Sequence, residues 1–457
     1  MKLKSTNPAK NYGLVGEVEI ATDKDIRAAV KKATKAKNSW AATSPEERVK
    51  ILRRFKDLVF ENRKGLATLI TAEMGKPLKE ANDEINFDKG YLEYYLSEGP
   101  KILKGKTVFE DEQSIGRVVF EPYGVAAVIT PWNFPLDSAL WGVIPNLVAG
   151  NTVILKPSEQ TPLIAKKIAD LFAQAGLPNG VFNILQGGGE VGAKLVDADI
   201  DLVWFTGSTK TGQEIYRKAG KKFIKVLLEL GGSSPAIVFE DADIPGAVEE
   251  VFSSRFSNCG QVCDATKRLF VQKSVFPEFV EKLKEKVGKI QIGDPLKDNT
   301  SMGPLVSRQQ LVLLEAQVQD AIKKGAKVVI GGKKPAGLKG AYYLPTLLTN
   351  IKKNMRVYSE EVFGPVLPIM PFKDAEEAVK LANDTIYGLS SQVYTKNKKL
   401  AEEMATKIKA GTVGINTGNY FKPACPFGGY KKSGLGREHG EFGFYELVQI
   451  KHIHVKK

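Results

Sequence analysis

Residues 125–159 read VAAVITPWNFPLDSALWGVIPNLVAGNTVILKPSE. Two short apolar runs, Val125–Ile129 and Thr152–Leu155, flank a helix-length stretch, 139–149, that stops at Gly150. An apolar run without polar alternation suits a strand covered on both faces, as in a parallel sheet with helical crossovers. The pattern repeats downstream. Val181–Leu185, Leu202–Phe205 and Lys225–Glu229 read as strands, separated by helices over 162–175, 190–197 and 211–219. Such alternation predicts a doubly wound, mostly parallel α/β sheet.

On the N-terminal side, 22–105 reads as helices: Lys24 to Trp40, Pro45 to Asn62 behind a Ser44-x-x-Glu47 capping pattern, and a run through Tyr95. On the other side, Gly231-Gly232-Ser-Ser-Pro235 punctuates the chain and a second α/β series begins. Helices are expected at 244–257, 276–289, 308–324, 374–383 and 397–408, with strands at 268–272, 327–330, 391–395 and 412–415. Two stretches, about 107–122 and 446–456, alternate polar and apolar residues instead. They predict antiparallel ribbon or edge strands, which tend to be paired by a partner subunit.

At 457 residues the chain exceeds one ordinary core, so two or three domains are expected. No apolar run reaches the ~18 residues that span a bilayer, and Met1-Lys-Leu-Lys lacks a following apolar segment, so neither a membrane protein nor a secreted one is indicated. A cytoplasmic location is the expectation. The net charge of +14, from 66 Lys+Arg against 52 Asp+Glu, is scattered among acids, as in Lys282-Leu-Lys-Glu-Lys286. Solvated faces explain it better than nucleic-acid binding. Three cysteines make no disulfide framework. His439, His452 and His454 are the only histidines, and His452-Ile-His454 alone is a poor zinc site, so no metal is expected. Any general base is then a carboxylate.

Asn258-Cys259-Gly260-Gln261-Val262-Cys263 follows a predicted helix, and a helix-to-loop transition can present a reactive sulfur. Alone, a buried inert thiol is the better reading. Glu229, ending an apolar strand before Gly231-Gly232, is placed to be desolvated and to act as a base, although from this residue alone a solvated strand end is the favoured reading. Asn133, held between Pro131-Trp132 and Phe134-Pro135, offers the amide donor an oxyanion needs, or makes a plain Asx turn. Gly187-Gly188-Gly189-Glu190-Val191-Gly192 has dinucleotide-fingerprint spacing but sits at the third strand–helix turn, which weakens it. Phe205-Thr206-Gly207-Ser208 opens another helix suited to a pyrophosphate. Lys156-Pro157-Ser158-Glu159 adds a cation and a carboxylate, the latter favouring ribose hydroxyls over a 2′-phosphate.

Together PWNFP at 131–135, KPSE at 156–159, FTGS at 205–208, ELGG at 229–232, GQVC at 260–263, EEVFGP at 360–365 and PFGG at 426–429 resemble the aldehyde dehydrogenase superfamily, in its order, from about Asn7 to the end. The resemblance implies a dinucleotide-binding domain over 1–106 and 123–230, a catalytic domain over 231–432, and an oligomerisation region over 107–122 and 433–457. It implies Cys263 as nucleophile, Asn133 with the Cys263 amide as oxyanion hole, and Glu229 as the base for hydrolytic water. Hydride would leave the hemithioacetal for nicotinamide, giving a thioester. The cofactor would be NAD, with NADP possible, held by Thr130, Pro131, Trp132, Lys156, Ser158, Glu159, Gly187, Phe205, Gly207, Ser208, Leu230, Glu361 and Phe363. Trp141, Arg255, Cys425 and Phe427 would meet a small aldehyde, and the assembly would be a homodimer or homotetramer.

Ala72-Glu-Met-Gly-Lys-Pro77 and Ser433-Gly-Leu-Gly-Arg437 bring the resemblance nearest to the shorter succinate-semialdehyde dehydrogenases. Yet Ser257 and Trp141 stand where such enzymes carry arginine, which leaves Arg255 as the candidate carboxylate partner, or else a helix-surface residue. Small hydroxyaldehydes such as lactaldehyde therefore stay in play. Gly142 stands where many relatives have a lysine, leaving proton relay to water. Cys259 and Cys425 are candidates for a redox lock on Cys263. An acyl transfer to coenzyme A and a catalytically silent binding protein are the rival readings; Glu229 speaks against the first, and the intact Cys263, Glu229 and Asn133 against the second.

Overall fold

The computed structural model describes residues 1–418 and 421–457. One sheet has six strands in the spatial order Gly434–Leu435, Lys225–Glu229, Leu202–Thr206, Val125–Ile129, Thr152–Lys156, Phe182–Ile184. All neighbours are parallel except the first pair, where the short Gly434–Leu435 runs against Leu228 and Glu229. Val125–Ile129 and Thr152–Lys156 are buried at every residue. Ala126 and Val128 pack into one apolar cluster with Leu140, Val143 and Trp204, whereas Val125, Ala127 and Ile129 pack into another with Ile26 and Leu195. Period-two alternation thus feeds two cores, one on each face, which is why the strands read as uninterrupted apolar runs.

The N-terminal helices form as their sequence dictates. Asp23–Ala42 and Pro45–Glu61 are joined at Ser44, whose Oγ accepts the Glu47 amide at 3.2 Å ahead of a proline in the first turn. Leu78–Ile102 then lies against Asp137–Ala149 and carries acids toward the site described below.

The chain leaves the first sheet at Glu229 and enters a second at Ser234. That sheet has seven strands, ordered Lys327–Ile330, Thr346–Thr349, Val366–Phe372, Thr266–Gln272, Ser234–Val238, Ser390–Tyr394, Thr412–Ile415, parallel except at Lys327–Ile330. Ser234–Val238, Thr346–Thr349 and Val366–Phe372 are strands that the sequence pattern did not predict, as is the hairpin Lys2–Asn7 with Gly13–Glu19. The alternating stretches form a third, antiparallel sheet. Val448–Lys456 pairs with Ser114–Pro122 in unbroken register from Val448 opposite Pro122 to Lys456 opposite Ser114, and Lys106–Glu110 flanks the other side.

Candidate active site

Helix Ile244–Phe256 ends in an abrupt reversal. Asn258 (φ 50°), Cys259 (φ 55°) and Gly260 (φ 71°) all take left-handed backbone. That conformation costs a non-glycine residue roughly 1–2 kcal/mol, so the turn persists only where its surroundings hold it. The Asn258 amide donates to Glu80 at 3.0 Å, and its Nδ2 donates to the Asn133 carbonyl at 2.9 Å. Gln261 Nε2 donates to the Asn258 carbonyl at 3.1 Å, while its Oε1 accepts the Val306 amide at 2.9 Å. At Gly260 any Cβ would strike the Gly364 carbonyl. The reversal sends Cys259 into an apolar core beside Leu305 and Val362, and leaves Cys263 partly exposed at the wall of a cavity.

The cavity has a volume of about 570 Å³ and lies where both sheets meet. Asn133 reaches it from the loop after Val125–Ile129. Its Nδ2 donates to the Gln261 carbonyl at 3.0 Å, which fixes the amide plane and leaves the second N–H for another acceptor. Glu229 reaches it from the end of its strand, 2 % exposed, with no hydrogen-bond partner at either carboxylate oxygen among the described residues. Burial, and then the neighbouring Glu438, push its carboxyl well above the usual range, while Arg437 opposes. Burial likewise raises the Cys263 thiol, with Asp264 adding and Lys267 opposing. The thiol faces Asp264 Oδ1 at 3.9 Å.

Beyond Cys263 the cavity opens between Trp132 and Phe363, whose rings meet edge to face at 5.5 Å. Glu361 is tied down there: it accepts the Gly232 amide at 3.1 Å and pairs with Lys267 at 3.0 Å. Pro131, Gly207, Ser208 and Leu230 line the same end. Ser208 caps helix Thr209–Lys222, its Oγ accepting the Thr211 amide at 3.2 Å, and Thr206 Oγ1 is buried there without a partner among the described residues. Trp141 and Phe427 line the opposite, aromatic end with Phe87 and Phe421.

Other residues singled out from sequence lie off this cavity. Lys156 is buried at the carboxyl end of its strand with Nζ 3.6 Å from Glu159; Thr130 donates to the Lys156 carbonyl at 3.1 Å; Ser158 Oγ accepts the Gln160 amide at 3.2 Å. Gly187 precedes helix Gly189–Asp197, and Phe205 packs inward beneath Gly207. Arg255 requires correction as a substrate contact. It is wholly buried, it is neither in the cavity wall nor on the helix surface, and its Nη2 donates to the Val362 carbonyl at 2.9 Å and to that of Gly364. Its guanidinium clamps the 362–364 loop to the helix end, and burial lowers its pKa to about 9. Cys425 is exposed and outside the cavity wall, and all three thiols are free.

Sequence reasoning missed a set of acids. Glu80, Glu84 and Asp88 recur every four residues along helix Leu78–Ile102, and that spacing was the available signal. Glu84 pairs with Lys76 and accepts the Leu136 amide at 3.1 Å; Asp88 accepts Trp141 Nε1 at 2.8 Å. Asp88 sits beside Asp137, and burial pushes it up to about 8 and Asp137 well above its ordinary range. Burial also pushes Glu438, which lines the cavity with Glu229, up to about 8.

A free thiol, an amide donor and a desolvated carboxyl converge beside the carboxyl edge of a doubly wound sheet, an arrangement chemically able to hold a carbonyl on sulfur next to a nucleotide-binding fold. The aldehyde dehydrogenase family model matches residues 1–453, and the chain belongs to that family. It is 41% identical over 456 residues to glutarate-semialdehyde dehydrogenase of Pseudomonas aeruginosa, covering 99% of this chain and 93% of that protein. It is 40% identical over 453 residues to the NADP(+) succinate-semialdehyde dehydrogenase of Escherichia coli K12, covering 98% and 93%. The NAD+ complex of a Bacillus cereus aldehyde dehydrogenase superposes with a TM-score of 0.97 at 38% identity, over 100% of this chain and 93% of that one.

Proposed function

We propose that this chain oxidises a small semialdehyde to its carboxylic acid with NAD or NADP, through a thioester on Cys263. The convergence of Cys263, Asn133 and Glu229 on one cavity carries the reading. The dinucleotide, when bound, supplies the hydride acceptor. The residues fit it: the partnerless Thr206 hydroxyl and the capped helix start at Ser208 offer donors to phosphate, and Glu361 stands anchored beside Phe363. Lys156 and Glu159 suit the distal ribose.

The chain's own groups divide the work. The Cys263 thiol gives up its proton to solvent as its sulfur bonds to the aldehyde carbon, and the free N–H of Asn133 with the Cys263 amide holds the oxygen as it gains charge. Glu229 then takes a proton from water as that water attacks the thioester carbon, and the carbon–sulfur bond breaks to release acid and thiolate. Glu438 shares the buried proton with Glu229. Two carboxylates in one desolvated pocket bear one charge more readily than two.

Names of relatives support succinate or glutarate semialdehyde. The aromatic end supports loose selection. Among the described residues its only cation is Lys76, already paired with Glu84. With Arg255 withdrawn into the protein, a neutral hydroxyaldehyde is the second reading. Assembly as a homodimer or homotetramer in the cytoplasm completes the proposal; among the described residues no helix is long and apolar enough to cross a membrane. Steady-state assays of succinate semialdehyde, glutarate semialdehyde, lactaldehyde and glyceraldehyde with each cofactor test it. Semialdehyde turnover without coenzyme A is expected. Turnover that strictly requires coenzyme A would sink the hydrolytic reading, and preferential use of lactaldehyde or glyceraldehyde the substrate reading.

A further inference from the structure

Lys267 is a cation shut away from water. It is 1 % exposed, and it stands behind the cavity wall rather than in it. Lysine is almost never buried so completely unless its charge is paired. An ammonium has three N–H donors and no acceptor, and three oxygens surround this one. Nζ donates to the Val262 carbonyl at 2.8 Å, donates to the Cys263 carbonyl, and pairs with Glu361 Oε1 at 3.0 Å. The Phe363 ring lies 5.5 Å away. Lys267 thus joins the reactive thiol's own residue, the residue before it, and the carboxylate anchored beside Phe363.

These partners are held in turn. Lys267 is the second residue of strand Thr266–Gln272, which lies in the middle of the second sheet, so a rigid backbone aims the side chain. Glu361 also accepts the Gly232 amide at 3.1 Å, and a Cβ at Gly232 would lie 2.6 Å from the Cys263 carbonyl oxygen. Gly232, Glu361, Lys267 and Cys263 therefore close a ring that leaves the two carbonyls little freedom. The Val262 carbonyl, which also accepts the Ala265 amide at 3.4 Å, and the Cys263 N–H are the two ends of one planar peptide. In the trans form they point in opposite directions. That N–H makes no hydrogen bond among the described residues. A cation on the carbonyl oxygen draws electron density from the nitrogen, so the N–H becomes a stronger donor, as in any chain of mutually polarised hydrogen bonds.

We propose that Lys267 is a positioning residue for the oxyanion donor: from the rear of the Val262–Cys263 peptide its ammonium aligns and polarises that group, so that the Cys263 N–H holds developing negative charge more strongly. This rests on the thioester reading above, in which the same N–H and Asn133 receive the aldehyde oxygen.

Two reagents that need no cofactor separate this role from that of a scaffold. p-Nitrophenyl acetate acylates the Cys263 thiolate through a tetrahedral oxyanion and releases p-nitrophenolate. Iodoacetamide alkylates the same thiolate by direct displacement of iodide, with no oxyanion. Peptide mapping restricts both readouts to Cys263. Both reactions consume the thiolate, so the ratio of their rate constants at one pH is independent of thiol ionisation, which Lys267 also influences. The loss of a whole oxyanion donor costs about 10²–10³ in rate, so weakening one in Lys267→Met should lower the ratio about tenfold. Lys267→Gln, a neutral donor, should lower it about threefold. A ratio unchanged while both rates fall together is the mark of a scaffold alone and overturns the proposal. So does an unchanged ratio in Lys267→Gln, which decides the matter if Lys267→Met shows no cooperative melting transition. A wild type that the ester does not acylate, or an Asn133→Ala protein with an unaltered ratio, defeats the thioester reading itself, a distinct outcome.

Discussion

Glu229 is buried with no hydrogen-bond partner among the described residues, and that single condition ties its proposed role as base to instability. A carboxyl whose folded pKa lies above its unfolded value of ~4.3 binds its proton more tightly in the folded state. Stability is then greatest below the unfolded pKa and falls as pH rises toward the folded one, by about 1.4 kcal/mol per unit of separation. Base catalysis needs the ionised form, so hydrolysis should rise with pH over the range in which stability falls. Glu229→Gln should therefore melt higher than wild type at pH 8 and show no gain at pH 4, in paired thermal scans. The same variant should still form the acyl-enzyme, yet hydrolyse it about 10²-fold or more slowly, so that the adduct accumulates on intact mass analysis. Cys263→Ala should make no reduced cofactor from aldehyde. Turnover by that variant would refute the covalent route.

At the scale of elements, the turn 258–260 does most to assemble the site, because it decides which of two nearby thiols meets the cavity. Gly260→Ala imposes both a left-handed backbone on a β-carbon and a collision with the Gly364 carbonyl. It should lower the melting temperature and cut turnover far more than cofactor affinity, as measured by fluorescence titration. Arg255 belongs to the same assembly. Arg255→Leu should destabilise the protein by freeing the 362–364 loop, but leave the preference between succinate semialdehyde and a neutral aldehyde within about twofold. A selective loss of the carboxylated substrate would return Arg255 to the substrate site. Sequence made the first sheet legible because both faces of Val125–Ile129 and Thr152–Lys156 are buried, so composition alone marks them. Val366–Phe372 was hidden by Pro368 and Pro371, which argue against a central strand although both sit in register with neighbours, Pro368 opposite Leu348 and Pro371 opposite Val271. That Cys263, Glu229 and Asn133 share one cavity was foreshadowed by motif order. The role of Arg255 was not, since a guanidinium that ligates substrate and one that clamps carbonyls look the same in a helix sequence.

At the scale of the whole molecule, the three-stranded sheet leaves most apolar surface unaccounted for. Val448–Lys456 has one edge on Ser114–Pro122 and the other unpaired among the described residues, and its residues beyond Val448 are exposed. Ile450 is 62% exposed, and Ile453, Val455, Val108 and Phe109 are also open to solvent. A free edge studded with such residues invites pairing unless another chain covers it. The sheet stands apart from both cavity-bearing layers, so its loss should alter assembly before chemistry. Ile450→Glu combined with Ile453→Glu places two charges on that strand without touching its ladder to Ser114–Pro122. Light scattering should then report a smaller species than wild type at equal concentration, with acyl-enzyme formation on Cys263 retained. An unchanged mass would mean that these faces are not the subunit contact. A smaller species without thiol reactivity would mean that the cavity depends on its partner, through the neighbouring short helix Gly440–Tyr445, where Phe444 packs into the core behind His439.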